Sequence, residues 1–315
     1  MQSLTYDLII VGAGLTGLNL AKELQGLNPH LNILILEKSK SCGGRMATRR
    51  VGESRFDHGA QFIKHSERTQ KIIDFWEQQK ILKKFSSHLF NASCGQLGMT
   101  QLAKKLAENL KISYNQKAIS LEKSLTGWKL NLDSGESLFA NQVVLTCPLP
   151  QSLDILNQSK IAFDPTLQEI NYQKAIAQLV QMESDLGEEM IYAEQVDENI
   201  FTVTSQHHKG LSTLNEYTLV MTPEWSDKHF EKSDEDILKA SMDLLNKTFA
   251  KNQVLNLQIK KWRFAQPAQT WKLPFENPAE GLYLAGDAFG GPSLTGAIRS
   301  SEALAEELRL RLLLN

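Results

Sequence analysis

Cysteine is scarce: the 315 residues include three, Cys42, Cys94 and Cys147, an odd number with no C-x-x-C spacing. That argues against a disulfide framework or a cysteine zinc cluster and fits a reducing compartment. Long apolar runs are missing too. None approaches the ~20 residues that a bilayer-spanning helix needs, so no membrane partner is expected. Neither sign of charge dominates: 34 Lys+Arg against 36 Asp+Glu leave a net charge of −2. Such a chain has no overall field for nucleic acid or an anionic membrane, and local basic clusters need local explanations. The stretch MQSLTYDLIIVGAG has no basic segment followed by a long apolar core, so no signal peptide is expected and a cytoplasmic location is. Repeats and low-complexity linkers are absent, and nothing specifies an oligomer. The adjacent His207 and His208 sit in a polar turn where solvation is the ordinary outcome, so no metal is expected. What remains, 42% apolar and 22% charged, is the composition of a globular chain with one large domain or two intertwined ones.

YDLIIVGAGLTGLNLAKEL reads as a buried strand over Asp7–Val11, a glycine turn, and a helix to about Gln25. Gly12, Gly14 and Gly17, with Ala13, Leu15 and Thr16 between them, form G-x-G-x-x-G at the junction. The first glycine permits the tight turn, the second lets backbone approach a pyrophosphate, and the third lets helix and strand pack closely. The helix N-terminus then offers N–H groups and a positive dipole end to phosphates. NILILEKS reads as a second strand ending in Glu37-Lys38, with Glu37 20 residues after Gly17. A carboxylate there accepts hydrogen bonds from an adenosine ribose.

This arrangement alone does not choose between NAD and FAD; GGRMATRR supplies the next clue. Gly43 and Gly44 lie just past the second strand, where an FAD pyrophosphate would run, and Arg45, followed by Met46, could grip it with a bidentate contact. Arg49, Arg50 and Arg55 are either a solvated face or a lure for a second dinucleotide. Near the other end, GLYLAGDAFGGPSLTGAIRSSEALA reads as a strand over Leu282–Ala285, then Gly286-Asp287, then a helix from about Gly296. Asp287 suits a ribityl hydroxyl or a pyrophosphate contact. Ala297, Ser301, Leu304 and Leu308 would form the inner face of that helix. Its first turn, with Leu294, Thr295 and Ala297, would point at the flavin N1/C2=O edge and stabilise the reduced ring.

Between these ends, MTQLAKKLAENL is an amphipathic helix with Thr100 as candidate N-cap, and QKIIDFWEQQ a further helix. From about residue 172, KAIAQLVQME, MIYAEQV, NIFTVTSQ, EYTLVMT and NLQIKKWRF read as strands of an antiparallel sheet. Ser233 to Asp236 is S-x-x-D ahead of an apolar run, a capping box that starts a helix.

Together DLIIVGAGLTGL, GGRMATRR, FDHGAQF, KWRFAQP and GLYLAGDAFGGPSLTGAIRSSEALA resemble the renalase-like branch of the FAD-dependent amine oxidase superfamily, over residues 7 to about 305. The resemblance implies an α/β fold with a glutathione-reductase-type FAD-binding Rossmann domain (residues 1–69, 99–165 and 277–315). It also implies an α+β substrate-binding domain built on an antiparallel sheet (70–98 and 166–276). The implied activity is oxidation of the 2- and 6-dihydro isomers of NAD(P)H to NAD(P)⁺, with hydride passing to flavin N5 and O2 reoxidising it to hydrogen peroxide. Asp57, His58, Gly59, Ala60 and Gln61 match the loop that runs along the flavin, and Ala118 matches a backbone position near the adenine. Gln61 and His65 are candidates to face the substrate. Trp262 offers a flat face for a nicotinamide, and Arg263 could meet a carboxamide or phosphate. The family often has an aromatic residue two positions after Gln61, where this chain has Ile63. No cysteine follows residue 147, so FAD is expected to be non-covalent. A dihydropyridine needs positioning rather than acid/base help, so no catalytic triad is expected. Two alternatives stay open: a small flavin amine oxidase, for which no acidic or aromatic cage is visible and whose lysine near N5 cannot be placed among Lys260, Lys261 and Lys272, and a flavin-holding sensor without turnover.

Overall fold

The strand Thr5–Val11 is almost fully buried from Leu8 onward, which suits the middle of a parallel sheet covered on both faces. In the computed structural model, which describes residues 5–312, that is where it lies. Ile33–Glu37 and Ser137–Leu145 flank it in parallel, with Ile112–Tyr114 and Leu282–Leu284 parallel beyond them. Glu276–Ala279 closes one edge antiparallel, and the hairpin Ala118–Ser124/Gly127–Leu132 joins Ser137–Leu145 antiparallel, making a mixed eight-stranded sheet. The helices Leu15–Leu27 and Leu294–Leu312 pack on each other. Asn19 Nδ2 donates to Ser301 Oγ (2.9 Å) and Thr16 Oγ1 to the Ala297 carbonyl (3.3 Å). Ala297, Ser301, Leu304 and Leu308 are all buried, as the helical spacing requires.

The chain divides into two compact units: Met1–Gly44, Ala103–Asn171 and Gln266–Asn315 form the first, Arg45–Leu102 and Tyr172–Ala265 the second. The first division between these compact units is at Gly44–Arg45, within the segment 1–69 expected to belong to the FAD-binding domain. Residues 45–69 form strands that pair inside the second unit: the hairpin Thr48–Val51/Ser54–Asp57, and Ile63–Lys64 beside Asn91–Gly95. Residues 1–4 and 313–315 of the expected FAD domain lie outside the described residues.

In the second unit five strands run in the order Tyr192–Glu194, Ile200–Ser205, Glu216–Met221, Tyr172–Met182, Val254–Pro267. The pairings from Tyr192–Glu194 through Tyr172–Met182 are antiparallel. Ile176, Val180, Met182, Tyr217 and Leu219 form one core with Ile237 and Leu245 of the helix Asp234–Thr248. Ser233 starts that helix as the capping box requires, its hydroxyl accepting the Asp236 N–H (3.1 Å). The helix Glu67–Gln78 takes in QKIIDFWEQ, with Gln79 as its C-cap, and buries Ile73 and Trp76. The molecule is thus an α/β protein whose first unit is a Rossmann-like βαβ arrangement within a mixed sheet. Among the described residues no helix is long and apolar enough to cross a membrane.

Candidate functional site

In the first unit, the three glycines of the turn do different work. Gly12 has φ +114°, which only glycine adopts without strain, and its N–H donates to the Leu36 carbonyl (2.8 Å). A Cβ on Gly17 would collide with the Gly12 carbonyl oxygen, so helix and turn touch there backbone to backbone. A Cβ on Gly14 would meet nothing within 4 Å: that position borders open space. Gly14 is also the N-cap of Leu15–Leu27 and has no side chain to cap the first-turn N–H groups, which suits an anion. Gly43 donates its N–H to the Ala13 carbonyl (2.8 Å), and a Cβ on Gly44 (φ +51°) would lie 3.6 Å from the Gly14 Cα. The two glycine stretches therefore stand side by side along this opening.

Glu37 is buried, with Oε2 accepting the Ala13 N–H (3.0 Å) and Oε1 the Ser39 N–H (2.8 Å). Each oxygen keeps a further acceptor position for a ribose hydroxyl. Lys38 points elsewhere, its Nζ donating to Gln151 Oε1 (3.0 Å). Ala118 opens its strand and is buried. Gly286 (φ +143°) donates its N–H to Ser300 Oγ (2.9 Å), and Asp287, also buried, starts the short helix Asp287–Gly290. A Cβ on Gly290 would strike the Gly296 carbonyl, so this loop crosses close to the start of Leu294–Leu312, where Leu294 and Thr295 are half-buried. An open glycine turn, a ribose-competent carboxylate and a second glycine stretch fit a dinucleotide such as FAD. Gly14→Ala is accordingly expected to keep the melting temperature of the apo protein while weakening FAD binding at least about tenfold; thermal melts beside a flavin titration check both halves.

The second unit holds a buried polar network that the sequence concealed. Asp57 and Lys209 are fully buried and paired, Nζ to Oδ2 at 2.7 Å. Asp57 Oδ1 accepts the Met99 N–H (2.8 Å) and the Thr48 hydroxyl (2.5 Å), and its carbonyl accepts from Thr218 Oγ1 (2.8 Å). Gln61 Oε1 accepts from Lys209 Nζ (3.2 Å) and Gln206 Nε2 (3.1 Å), while its Nε2 donates to the carbonyls of Asp57 (2.6 Å) and Gly59 (3.1 Å). Every hydrogen-bonding position of that carboxamide is occupied. Gln61, expected to face substrate, is instead a brace for residues 57–61, because its neighbours present two donors and two backbone acceptors. Gly59 presses against Arg45, with the Ala60 N–H donating to the Arg45 carbonyl (2.9 Å). Lys209 lies in QHHKG, which reads as a polar turn. The only sequence signal for it was Asp57 itself, an acid ending the strand Ser54–Asp57 and requiring a cation.

The other expected residues are placed as follows. Arg45 Nη1 donates to the Ala265 carbonyl (3.0 Å), and its guanidinium lies over the Tyr172 ring at 5.8 Å. Met46 is buried, and its carbonyl accepts from Thr100 Oγ1 (2.8 Å). Thr100 is therefore not an N-cap: it ties the helix Met99–Ala107 to Met46 and Thr48. His65 Nε2 meets Ser93 Oγ (2.8 Å), whose own proton goes to Glu77 Oε1, so the imidazole is the donor in that pair. Trp262 stacks on His58 (5.4 Å between centroids, 24°) and donates Nε1–H to the His58 carbonyl (2.7 Å). Arg263 is exposed and bound to Glu231 (2.9 Å) and the Phe230 ring, an engagement that competes with any substrate contact. Ile63 is buried, while Phe62 beside it supplies the aromatic surface, grouping with Phe85, Phe90 and Tyr192. Lys64 extends over Phe90 (4.2 Å) and pairs with Glu194 (3.2 Å). Among the described residues no cluster of metal-ligating side chains occurs, and His207 and His208 are both exposed.

Burial, then the charge of Lys260, lowers the His58 pKa from 6.5 to about 4; Arg49 acts with them and Asp57 against. The folded state thus binds this proton more weakly than the unfolded state. The resulting stability is present above pH 6.5 and is lost as pH falls towards about 4. His58→Phe, which keeps an aromatic ring against Trp262, is expected to flatten the stability curve in that window, as read by urea unfolding across a pH series.

A model of NAD(P)-binding Rossmann-like domains matches residues 10–78, and one of flavin containing amine oxidoreductases matches residues 66–309. The "Probable flavin-containing monoamine oxidase A" of Dictyostelium discoideum is 39% identical over 62 residues; the match covers 20% of this chain and spans only 13% of that protein's length. Among solved structures, a putative protoporphyrinogen oxidase from Exiguobacterium sp. 255-15 superposes with a TM-score of 0.78 at 16% identity, covering 98% of this chain and all of that one. Putrescine oxidase bound to putrescine gives 0.73 at 13%, covering 97% and 99%. At such identities these likenesses establish the fold alone. The model spanning residues 66–309 covers most of the sequence, and with it the chain belongs to the flavin-containing amine oxidoreductase family and uses FAD as its cofactor.

Proposed function

We propose that the chain is a renalase-like oxidase of the 2- and 6-dihydro isomers of NAD(P)H, acting in the cytoplasm with a glutathione-reductase-type FAD domain. In this reading Gly12–Gly17, Glu37, Gly43–Arg45 and Gly286–Asp287 hold the cofactor, and the first turn of Leu294–Leu312 faces the ring. FAD held there would supply a two-electron acceptor that O2 can reoxidise, with NAD(P)⁺ and hydrogen peroxide as the products of this reading. Trp262 provides a flat wall for the pyridine, its indole fixed by the His58 stack and the Nε1 hydrogen bond.

The observation that carries this reading is the saturation of the Asp57, Gln61 and Lys209 side chains beside the one unpartnered ring nitrogen of His58. Asp57, Gln61 and Lys209 bond to one another and to backbone, so none is offered as an acid or base. A dihydropyridine requires neither, since its ring nitrogen drives hydride departure and positioning lowers the barrier. Anaerobic mixing of the holoprotein with 6-dihydro-NAD, followed at the flavin absorbance band, tests it. Rapid bleaching by the dihydro isomer and none by primary amines is expected; the reverse pattern overturns it.

One observation favours amine oxidation as a second reading. Phe62, Phe90 and Tyr192 with Glu194 form an aromatic and acidic box around an ammonium, that of Lys64. Bleaching by a diamine that accelerates in Lys64→Ala would establish it.

A further inference from the structure

Two rows of side chains face each other inside the second unit. Ala47, Arg49 and Val51 alternate on one face of the hairpin Thr48–Val51/Ser54–Asp57, beside Ser54, Phe56 and His58; Arg49 lies opposite Phe56, and the His58 N–H donates to the Ala47 carbonyl (3.0 Å). Asn256, Gln258, Lys260 and Trp262 share one face of Val254–Pro267, by the two-residue period of a strand. The rows meet at both ends. Val51 and Phe56 line a small cavity with Asn256 and Gln258, and His58 stacks on Trp262. Between these contacts stand two cations, Arg49 from the hairpin and Lys260 from the strand, and the fields of both act on His58.

Among the described residues, no carboxylate forms an ion pair with Arg49, Arg50, Arg55 or Lys260. Of the acids Asp57 and Glu216 along this seam, Asp57 is ion-paired and Glu216 keeps a buried carboxylate oxygen without a hydrogen-bond partner. Asp57 is committed to Lys209, and Glu216 is buried in the wall of the cavity at the far end. On the hairpin's other face Arg50 stands directly opposite Arg55, a like-charge pairing that weakens a hairpin. Lys64, Lys174, Lys209, Lys261 and Arg263 of this unit, by contrast, are each paired with an acid.

We propose that Arg49 and Lys260 form a binding site for a phosphoryl anion, the diphosphate of the dinucleotide that the enzyme oxidises. The identity of the dinucleotide rests on the oxidase reading above; the chemistry of the site does not. Two cations on opposing rows can grip a diphosphate from both sides, and the Trp262–His58 pair next to them offers aromatic surface to the rest of the nucleotide. The same anion would cancel the positive field on His58, which makes that imidazole its reporter.

The test uses the FAD-loaded protein and inorganic pyrophosphate, with the His58 ring followed by NMR and identified through its loss in His58→Phe. Pyrophosphate is expected to raise the protonation midpoint of His58 by about one pH unit or more. It should leave the midpoint unchanged in the double variant Arg49→Ala/Lys260→Ala. A midpoint indifferent to pyrophosphate in the unaltered protein overturns the site. A second arm compares anaerobic flavin bleaching by 6-dihydro-NAD and by the phosphate-free dihydronicotinamide riboside. The double variant should lose about tenfold or more in bleaching rate at limiting dinucleotide and nothing with the riboside. Equal rates with the dinucleotide overturn the assignment to substrate, even where free pyrophosphate binds. If neither compound bleaches the unaltered protein, the oxidase reading falls, while the NMR arm still decides the anion site.

Discussion

Lys209→Met is expected to abolish the folded, flavin-loaded protein at growth temperature. The substitution leaves the Asp57 carboxylate buried without its cation, a change that costs about 3–5 kcal/mol in buried pairs. That is a large fraction of the ~5–15 kcal/mol that hold a domain together. The loss would spread, because Asp57 also receives the Met99 N–H and the Thr48 hydroxyl, and Gln61 loses a donor to its carbonyl oxygen. The double variant Lys209→Met/Asp57→Asn is the control. It removes both charges and keeps a carbonyl oxygen for Met99 and Thr48, so it should recover much of the lost stability. Chemical denaturation of the set reads this directly. A double variant no more stable than the single one would show that Lys209 matters for something other than neutralising Asp57.

The second large effect sits in the first unit. Gly17→Ala places a methyl group against the Gly12 carbonyl oxygen, with Thr146 Oγ1 and Ile10 Cγ2 also near it (3.0 and 3.1 Å). Backbone cannot yield there without opening the strand–helix contact, so both stability and FAD affinity should fall, the latter by about a hundredfold or more. Gly26→Ala in the same helix should do the opposite. Nothing lies within 4 Å of its added methyl, and alanine in place of an exposed helical glycine stabilises by about 0.5–1 kcal/mol. Parallel melts and flavin titrations of the two variants separate a steric requirement from helix propensity.

The parts of the molecule that were legible in the sequence are those whose cause is local. The turn at Gly12–Gly17 announces itself because three glycines at that spacing between a buried strand and a helix have one common physical use. Glu37 follows from strand length, and Ser233 from capping chemistry within three residues. The Lys209–Asp57 pair was not legible, since it depends on residues 152 positions apart. A lysine after two histidines looks like any solvated turn until Asp57 is known to be sealed beside it. Gln61, expected to face the flavin and the substrate, has its carboxamide bonded to Asp57, Gly59, Gln206 and Lys209. Its carboxamide holds the loop together, which sequence spacing cannot distinguish from reaching towards a substrate. Thr100 shows the same limit: a threonine near a helix start suggests a cap, yet it bonds to Met46 and Thr48, partners set by tertiary packing. GGRMATRR looks continuous with the nucleotide turn, but strand pairing assigns Arg45 onward to the other unit.

All of this depends on FAD being held by the glycine turn and Glu37. The most direct measurement is titration of the apo protein with FAD, followed by acid precipitation of the complex. Saturation at one FAD per chain is predicted, with Gly14→Ala shifting the curve and the precipitate releasing all of its flavin to a yellow supernatant. A protein that stays colourless at saturating FAD would contradict the account at its root.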